Sequence, residues 1–137
     1  DAEEGGQEVV RGAVTHLGFT LYWGRSRKGR WVIKRKTAKS RLSRAIKAVG
    51  EWCKRHRHWS IAEQHRALCH KVRGHMSYFG VTGNMRALKA FVHQAEQRWK
   101  MWLCRRGGRG QMNWEGYKQL KVVYALPAPR IVHRRGT

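Results

Sequence analysis

The sequence predicts a mainly α fold with a small β-hairpin: a three-helix bundle, then a short C-terminal helix. Two observations carry this. Apolar residues recur every second position near the start of the chain and every third or fourth position afterwards. Capping residues, glycines and prolines then fall at the joints between those runs. Residues 1–12 hold four of the eight acids (Asp1, Glu3, Glu4, Glu8) and have no period, so they read as a flexible acidic segment.

Period two starts at Ala13, with Leu17, Phe19, Leu21 and Trp23 on one face and His16, Thr20 and Tyr22 on the other. A Gly-bounded loop, Gly24 to Gly29, leads into a second β-rich run from Arg30 to Arg35. Together they read as an antiparallel hairpin over residues 13–36. A lone hairpin is marginal, so it is expected to pack on helices or to extend a sheet outside this sequence. The helical region follows over 37–126. Thr37 is the expected cap of a helix from about Ala38 to about Arg57, with Leu42, Ala45, Ile46, Val49, Trp52 and Cys53 on its inner stripe. Ser60-Ile61-Ala62-Glu63 is a capping box. It opens a second helix that buries Ile61, Leu68, Cys69, Val72, Met76 and Phe79, with Gly80 free to take a left-handed stop. Asn84 is the expected cap of a third helix, which places Leu88, Phe91, Val92, Ala95, Trp99 and Trp102 together and ends at Gly107-Gly108. Asn113 opens the short fourth helix, with Trp114, Tyr117, Leu120 and Tyr124. Pro127 and Pro129 end it and begin a C-terminal tail over 127–137.

Charge narrows the function. The 137 residues carry 30 Lys and Arg against 8 Asp and Glu, a net +22. From Val9 onward the balance is 30 − 4, or +26. Such an excess repels itself in a compact chain unless a polyanion neutralises it. Seven Trp and 41% hydrophobic residues argue against a disordered basic tail. Asp1 is the sole Asp, so a carboxylate pair for two-metal phosphoryl chemistry is missing from the body of the chain. No catalytic residue is assigned. The chain alone is read as no enzyme. No apolar run reaches the roughly 20 residues of a membrane helix, so no membrane partner is expected. Three cysteines at no framework spacing suit reduced thiols and a cytoplasmic location. A first residue of Asp rather than Met suggests the C-terminal piece of something longer.

Fourteen Lys or Arg lie in the 33 residues from Arg25 to Arg57, with Glu51 the sole acid. Arg25, Arg27, Lys28 and Arg30 form a flexible basic hairpin tip. Lys36, Lys39, Arg41, Arg44, Lys47, Lys54 and Arg55 avoid the apolar stripe of the first helix and cover its outside. A solvated helix face normally mixes signs, with acids four residues from bases. This one does not, so it is the expected nucleic-acid footprint. No helix-turn-helix or zinc-finger spacing accompanies it. Most Trp fall on apolar stripes and are expected in the core, with Trp31 and Trp59 less clearly so.

Cys53, His56, His65 and Cys69 have helical spacing that resembles a zinc quartet. Cys-x2-Cys knuckles are absent and the pairs sit inside helices, so the cysteines are read as small core residues and no metal ligand is assigned. Cys104 and Cys69 lack an orienting acid for a Cys/His hydrolase.

Three motifs carry a family resemblance. His16-Leu17-Gly18-Phe19-Thr20-Leu21-Tyr22-Trp23-Gly24 resembles the strand that ends the polymerase domain of group II intron reverse transcriptases. Arg73-Gly74-His75-Met76-Ser77-Tyr78-Phe79-Gly80-Val81, with Gly83-Asn84, is similar to the signature of their maturase-specific domain. Leu126-Pro127-Ala128-Pro129-Arg130-Ile131-Val132-His133 resembles the ending of many bacterial members. Lys34-Arg35-Lys36-Thr37 and Glu63-Gln64-His65 also fit. The motifs occur in family order and span nearly all of Thr15 to His133.

The resemblance implies the last polymerase motif (residues 13–36) followed by the thumb, or domain X. That domain grips structured intron RNA or an RNA–DNA template–primer duplex in support of splicing and reverse transcription. It implies the fingers and palm of a parent RNA-directed DNA polymerase as protein partners. No cofactor is expected in this chain; Mg²⁺ is implied only for the polymerase active site, whose aspartates are absent here. RNA contact is carried onto the basic residues named above together with Lys34 and Arg73. Gly74 is expected to permit close helix approach. A different reading is a free-standing basic RNA-binding or adaptor protein, a retroelement remnant without a catalytic partner.

Overall fold

A computed structural model describes residues 15–106 and 113–133. The acidic segment 1–12, the Gly107-Gly108 stop and residues 134–137 lie outside the described residues. Three strands, β1 (Thr15–His16), β2 (Phe19–Arg25) and β3 (Trp31–Thr37), form one antiparallel sheet in sequence order. Four helices follow: α1 (Lys39–Arg55), α2 (Ile61–Phe79), α3 (Met85–Cys104) and α4 (Trp114–Val123). The chain is mainly α with a small hairpin, as the periodicities require.

The first strand is not continuous. His16 pairs with Phe19, so Leu17-Gly18 is a two-residue turn, with φ of 52° and 87°. Positive φ at both central positions gives the type I′ geometry that matches strand twist, although Leu is a strained choice for it. Docking holds the turn in place. Tyr78 Oη donates to the Leu17 carbonyl, and Ala38 N donates to the Gly18 carbonyl at 2.9 Å. Phe19, the first residue of β2, packs edge-on against Phe79 with centroids 5.1 Å apart.

Up-down-up connection sets α1 and α3 side by side and parallel: Gly50 faces Arg98, and Lys54 lies over Trp102. The core between the helices holds Val49, Trp52, Leu68, Val72, Met76, Leu88, Phe91, Ala95 and Trp99, as the stripes predict, and Leu103, which they did not include. Leu120 and Tyr117 of α4 close one side. The Ser60 cap forms as expected, its Oγ accepting from Glu63 N at 3.2 Å and donating to Glu63 Oε1 at 2.9 Å. Asn113 caps α4 by accepting from Gly116 N at 2.8 Å.

Four local expectations are overturned. Thr37 does not cap α1; Ala38 holds the cap position without a side-chain bond. Asn84 does precede α3, but its side chain does not cap it. Instead Asn84 Oδ1 accepts from Thr37 N, and its Nδ2 donates to Thr37 Oγ1 and to the Phe79 carbonyl, each at 2.8 Å. Two residues that each suit a local cap bond to one another across 47 positions, because both are buried where the end of the sheet meets the α2–α3 turn. Gly80 has φ −78°, not a left-handed value. It is needed for space: a Cβ would strike the Met76 carbonyl and crowd Val132 N at 3.1 Å and Arg130 O at 3.2 Å. The tail docks there, with Val132 N and His133 N both donating to the Gly80 carbonyl. Gly74 has nothing within 4 Å of a built Cβ and faces open space, so it serves no helix approach.

Candidate nucleic-acid interface

The basic residues are positioned by what the other side of each element buries. On α1, Val49, Trp52 and Cys53 face inward. Lys39, Arg41, Arg44, Lys47, Lys54 and Arg55 are therefore forced outward, and all six are exposed. Lys36 at the end of β3 is exposed and joins the N-terminal end of this row, its ammonium 5.4 Å from the Tyr22 ring. Lys34 is half-buried, lying along Gly24, where a Cβ would meet its Cδ at 2.9 Å.

The hairpin tip carries its own hydrogen bonds. Ser26 N donates to the Arg30 carbonyl at 2.8 Å, and Arg25 Nη1 donates to the Gly29 carbonyl at 2.8 Å. The Arg25 guanidinium also lies 4.5 Å over the Trp31 ring. Arg27, Lys28 and Arg30 remain exposed. Sheet and helix together thus bring twelve of the thirteen candidates onto the hairpin and α1. Arg73 is exposed but stands apart, on α2.

The zinc-like quartet has other partners. His56 stacks on Trp52 at 4.5 Å, with its Nδ1 2.9 Å from the Trp52 carbonyl. His65 Nε2 lies 2.9 Å from the Ala125 carbonyl and 3.2 Å from Cys69 Sγ. Burial pushes the Cys53 thiol up to about 12 and raises Cys69 as well. Without a bound metal, burial thus keeps both thiols protonated at neutral pH, which does not suit a nucleophile. Among the described residues no three His, Cys, Asp or Glu side chains gather where an ion could be held.

Trp99 is 1% exposed and Trp52 is buried, as their stripes indicate, and Trp31 is 61% exposed. Trp102, expected in the core, is only half-buried at its edge, because its ring faces the gap between α1 and α3. Reading by stripes missed Gln64, which is also buried. Its Oε1 accepts from Trp99 Nε1 at 2.8 Å and its Nε2 donates to the Trp59 carbonyl at 2.8 Å. The available signal was a Gln one residue past a capping-box Glu, on the same side as Leu68, in a helix whose facing stripe carries a Trp needing an acceptor. Lys71 was missed too. It reaches across to Trp52 on α1, 5.4 Å from the ring, and adds an exposed cation from α2.

A row of like charges on a rigid helix, continued by a basic sheet edge, can neutralise successive phosphates and read shape without reading bases. No described helix is long and apolar enough to cross a membrane. Comparison of the chain with models of protein families, with curated proteins and with solved structures finds no match.

Proposed function

We propose that this chain is the RNA-gripping thumb and maturase portion of a group II intron-type RNA-directed DNA polymerase. On this reading it holds structured intron RNA or the template–primer duplex for an active site outside this sequence. The observation that carries the reading is the row of exposed cations from the hairpin tip through Lys36 to Arg55, with Glu51 its one acid among the described residues, outside a well-packed core. The three motifs in family order support the choice of family. An A-form duplex shows a shallow minor groove and 2′-hydroxyls, which such a surface can track without base readout. The polymerase fingers and palm would be its covalent or docked partner.

Among the described residues the carboxylates stand apart and form no Mg²⁺ pair. Glu63 receives the Ser60 hydroxyl, Glu96 pairs with Lys121 at 3.3 Å, Glu51 is the sole acid of α1 and Glu115 lies in the first turn of α4. No catalytic step is therefore assigned to this chain.

Filter binding of intron RNA, RNA–DNA hybrid and duplex DNA across a salt series tests the reading. Contact with six to ten phosphates should weaken binding by about 10³ to 10⁵ between 50 and 200 mM salt. Reversing Lys39, Arg41, Arg44 and Lys47 together should lower both the affinity and the salt slope. Absence of RNA binding at low salt, or an unchanged slope in the reversed protein, would overturn it.

A further inference from the structure

The basic row explains a grip on phosphates, but it does not explain the groove behind it. Where α1 and α3 run parallel, their facing sides leave a cleft of about 630 Å³. Its α1 wall carries Lys47, Gly50 and Lys54, and its α3 wall carries Gln94, Arg98 and Trp102. The absent side chain at Gly50 opens the middle, where the stem of Arg98 lies 3.5 Å from the position of a Cβ. The Trp102 ring is half-buried, with Lys54 Nζ 6.0 Å and Arg105 Cζ 5.3 Å from its centroid.

Resting on the RNA-binding reading, we infer that this cleft takes one unpaired nucleotide of the bound RNA, its base stacked on Trp102. The volume is that of a small-ligand cleft and far too small for a duplex. An aromatic face beside cations is the recurring platform for single-stranded bases, since every base has a π-face. Lys47, Lys54 and Arg98 supply three positive charges for the flanking phosphates, set against Glu51. Lys54 and Arg105 are exposed residues whose long side chains can follow those phosphates away from the ring. Gln94 offers both a donor and an acceptor to a base edge, and Glu51 can accept from a 2′-hydroxyl or an exocyclic amine. The cleft opens beside Lys47 and Lys54, which also belong to the α1 row. A nucleotide bulged from an RNA held on that row could therefore turn inward between the helices.

Two RNA hairpins with the same stem, one fully paired and one with a single bulged nucleotide, separate the possibilities. The unaltered chain should bind the bulged hairpin about tenfold more tightly, the scale of one base stacked on an aromatic ring. Trp102→Leu should remove that preference and leave affinity for the paired hairpin within about twofold, a scale well below that of one stacked base. Gln94→Glu keeps the ring and sets a negative charge in the cleft. It should also remove the preference, and it decides the matter if Trp102→Leu melts below the assay temperature. Equal affinity of the unaltered chain for the two hairpins, or a preference that survives Gln94→Glu, would overturn the cleft while leaving the α1 grip intact. Failure to bind either hairpin at low salt overturns the RNA reading and the cleft with it.

Discussion

The hairpin and the helical bundle contain similar residues and use them differently. In the bundle, Trp99 is 1% exposed and its indole N–H is bonded to a buried Gln64. In the sheet, Trp31 is 61% and Ile33 50% exposed, and Trp31 has a guanidinium over one face in place of a core. Three helices can close around their own stripes, whereas a three-stranded ribbon has two faces and too little chain to cover both. The sheet is accordingly fastened at one end. Phe19 sits on Phe79, Thr37 is bonded to Asn84, and the Leu17 carbonyl accepts from Tyr78. Beyond Leu21 the ribbon extends from that anchor and carries its basic tip outward. Folding energy thus comes from the bundle, while the hairpin supplies reach and charge.

The pair of tryptophans gives the sharpest contrast. Trp99→Ala should cost about 3–5 kcal/mol from the lost packing, and it also strands Gln64 Oε1. Trp31→Ala should stay within about 0.5 kcal/mol, the usual range for an exposed site. Denaturant melts of the two variants check this, and equal losses would mean that the sheet is as much a part of the core as α3. The junction comes next. Asn84→Ala removes three bonds at a buried site and leaves the Thr37 amide and the Phe79 carbonyl without that partner, at a cost of about 2–3 kcal/mol. Amide exchange should speed up more in β2 and β3 than in α3. Uniform acceleration would show that sheet and bundle open as one unit.

The remaining effect concerns acid. His75 stacks on Phe91 with centroids 3.7 Å apart, its Nε2 is buried without a hydrogen bond, and burial lowers its pKa from 6.5 to about 4. The unfolded chain therefore takes up this proton before the folded one does. The contribution of His75 is complete above about pH 6.5 and is lost as pH falls from there towards about 4. Urea midpoints measured from pH 7 to pH 4.5 should fall, and His75→Phe should flatten that slope. The same fall in the variant would move the titration to another group.

Much of this was legible in the chain because helical stripes, a capping box and proline are local signals whose meaning survives folding. Ser60 with Glu63, Asn113, the apolar faces of all four helices and the exposure of the α1 cations follow from spacing alone. The cleft did not, since it depends on which helix lies beside α1. Only the approach of α3 sets Arg98 and Trp102 opposite Gly50 and Lys54. The strand break at Leu17 was hidden for a related reason: nothing in Leu-Gly demands a type I′ turn until Tyr78 and Ala38 hold its carbonyls.

By itself the sequence determined the class of fold, the four helices and the side of α1 on which the charge must lie, because periodicity and like-charge crowding act within one element. Tertiary structure decided the uses of polar residues and glycines that had more than one local option. Thr37 and Asn84 could each have capped a helix, yet bond to each other because a buried amide and a buried carboxamide are costly to leave unpaired. Gly80 could have been a left-handed stop, yet makes room for the returning tail. A short polar side chain or a missing one has several good local solutions, and the neighbour brought by the fold selects among them.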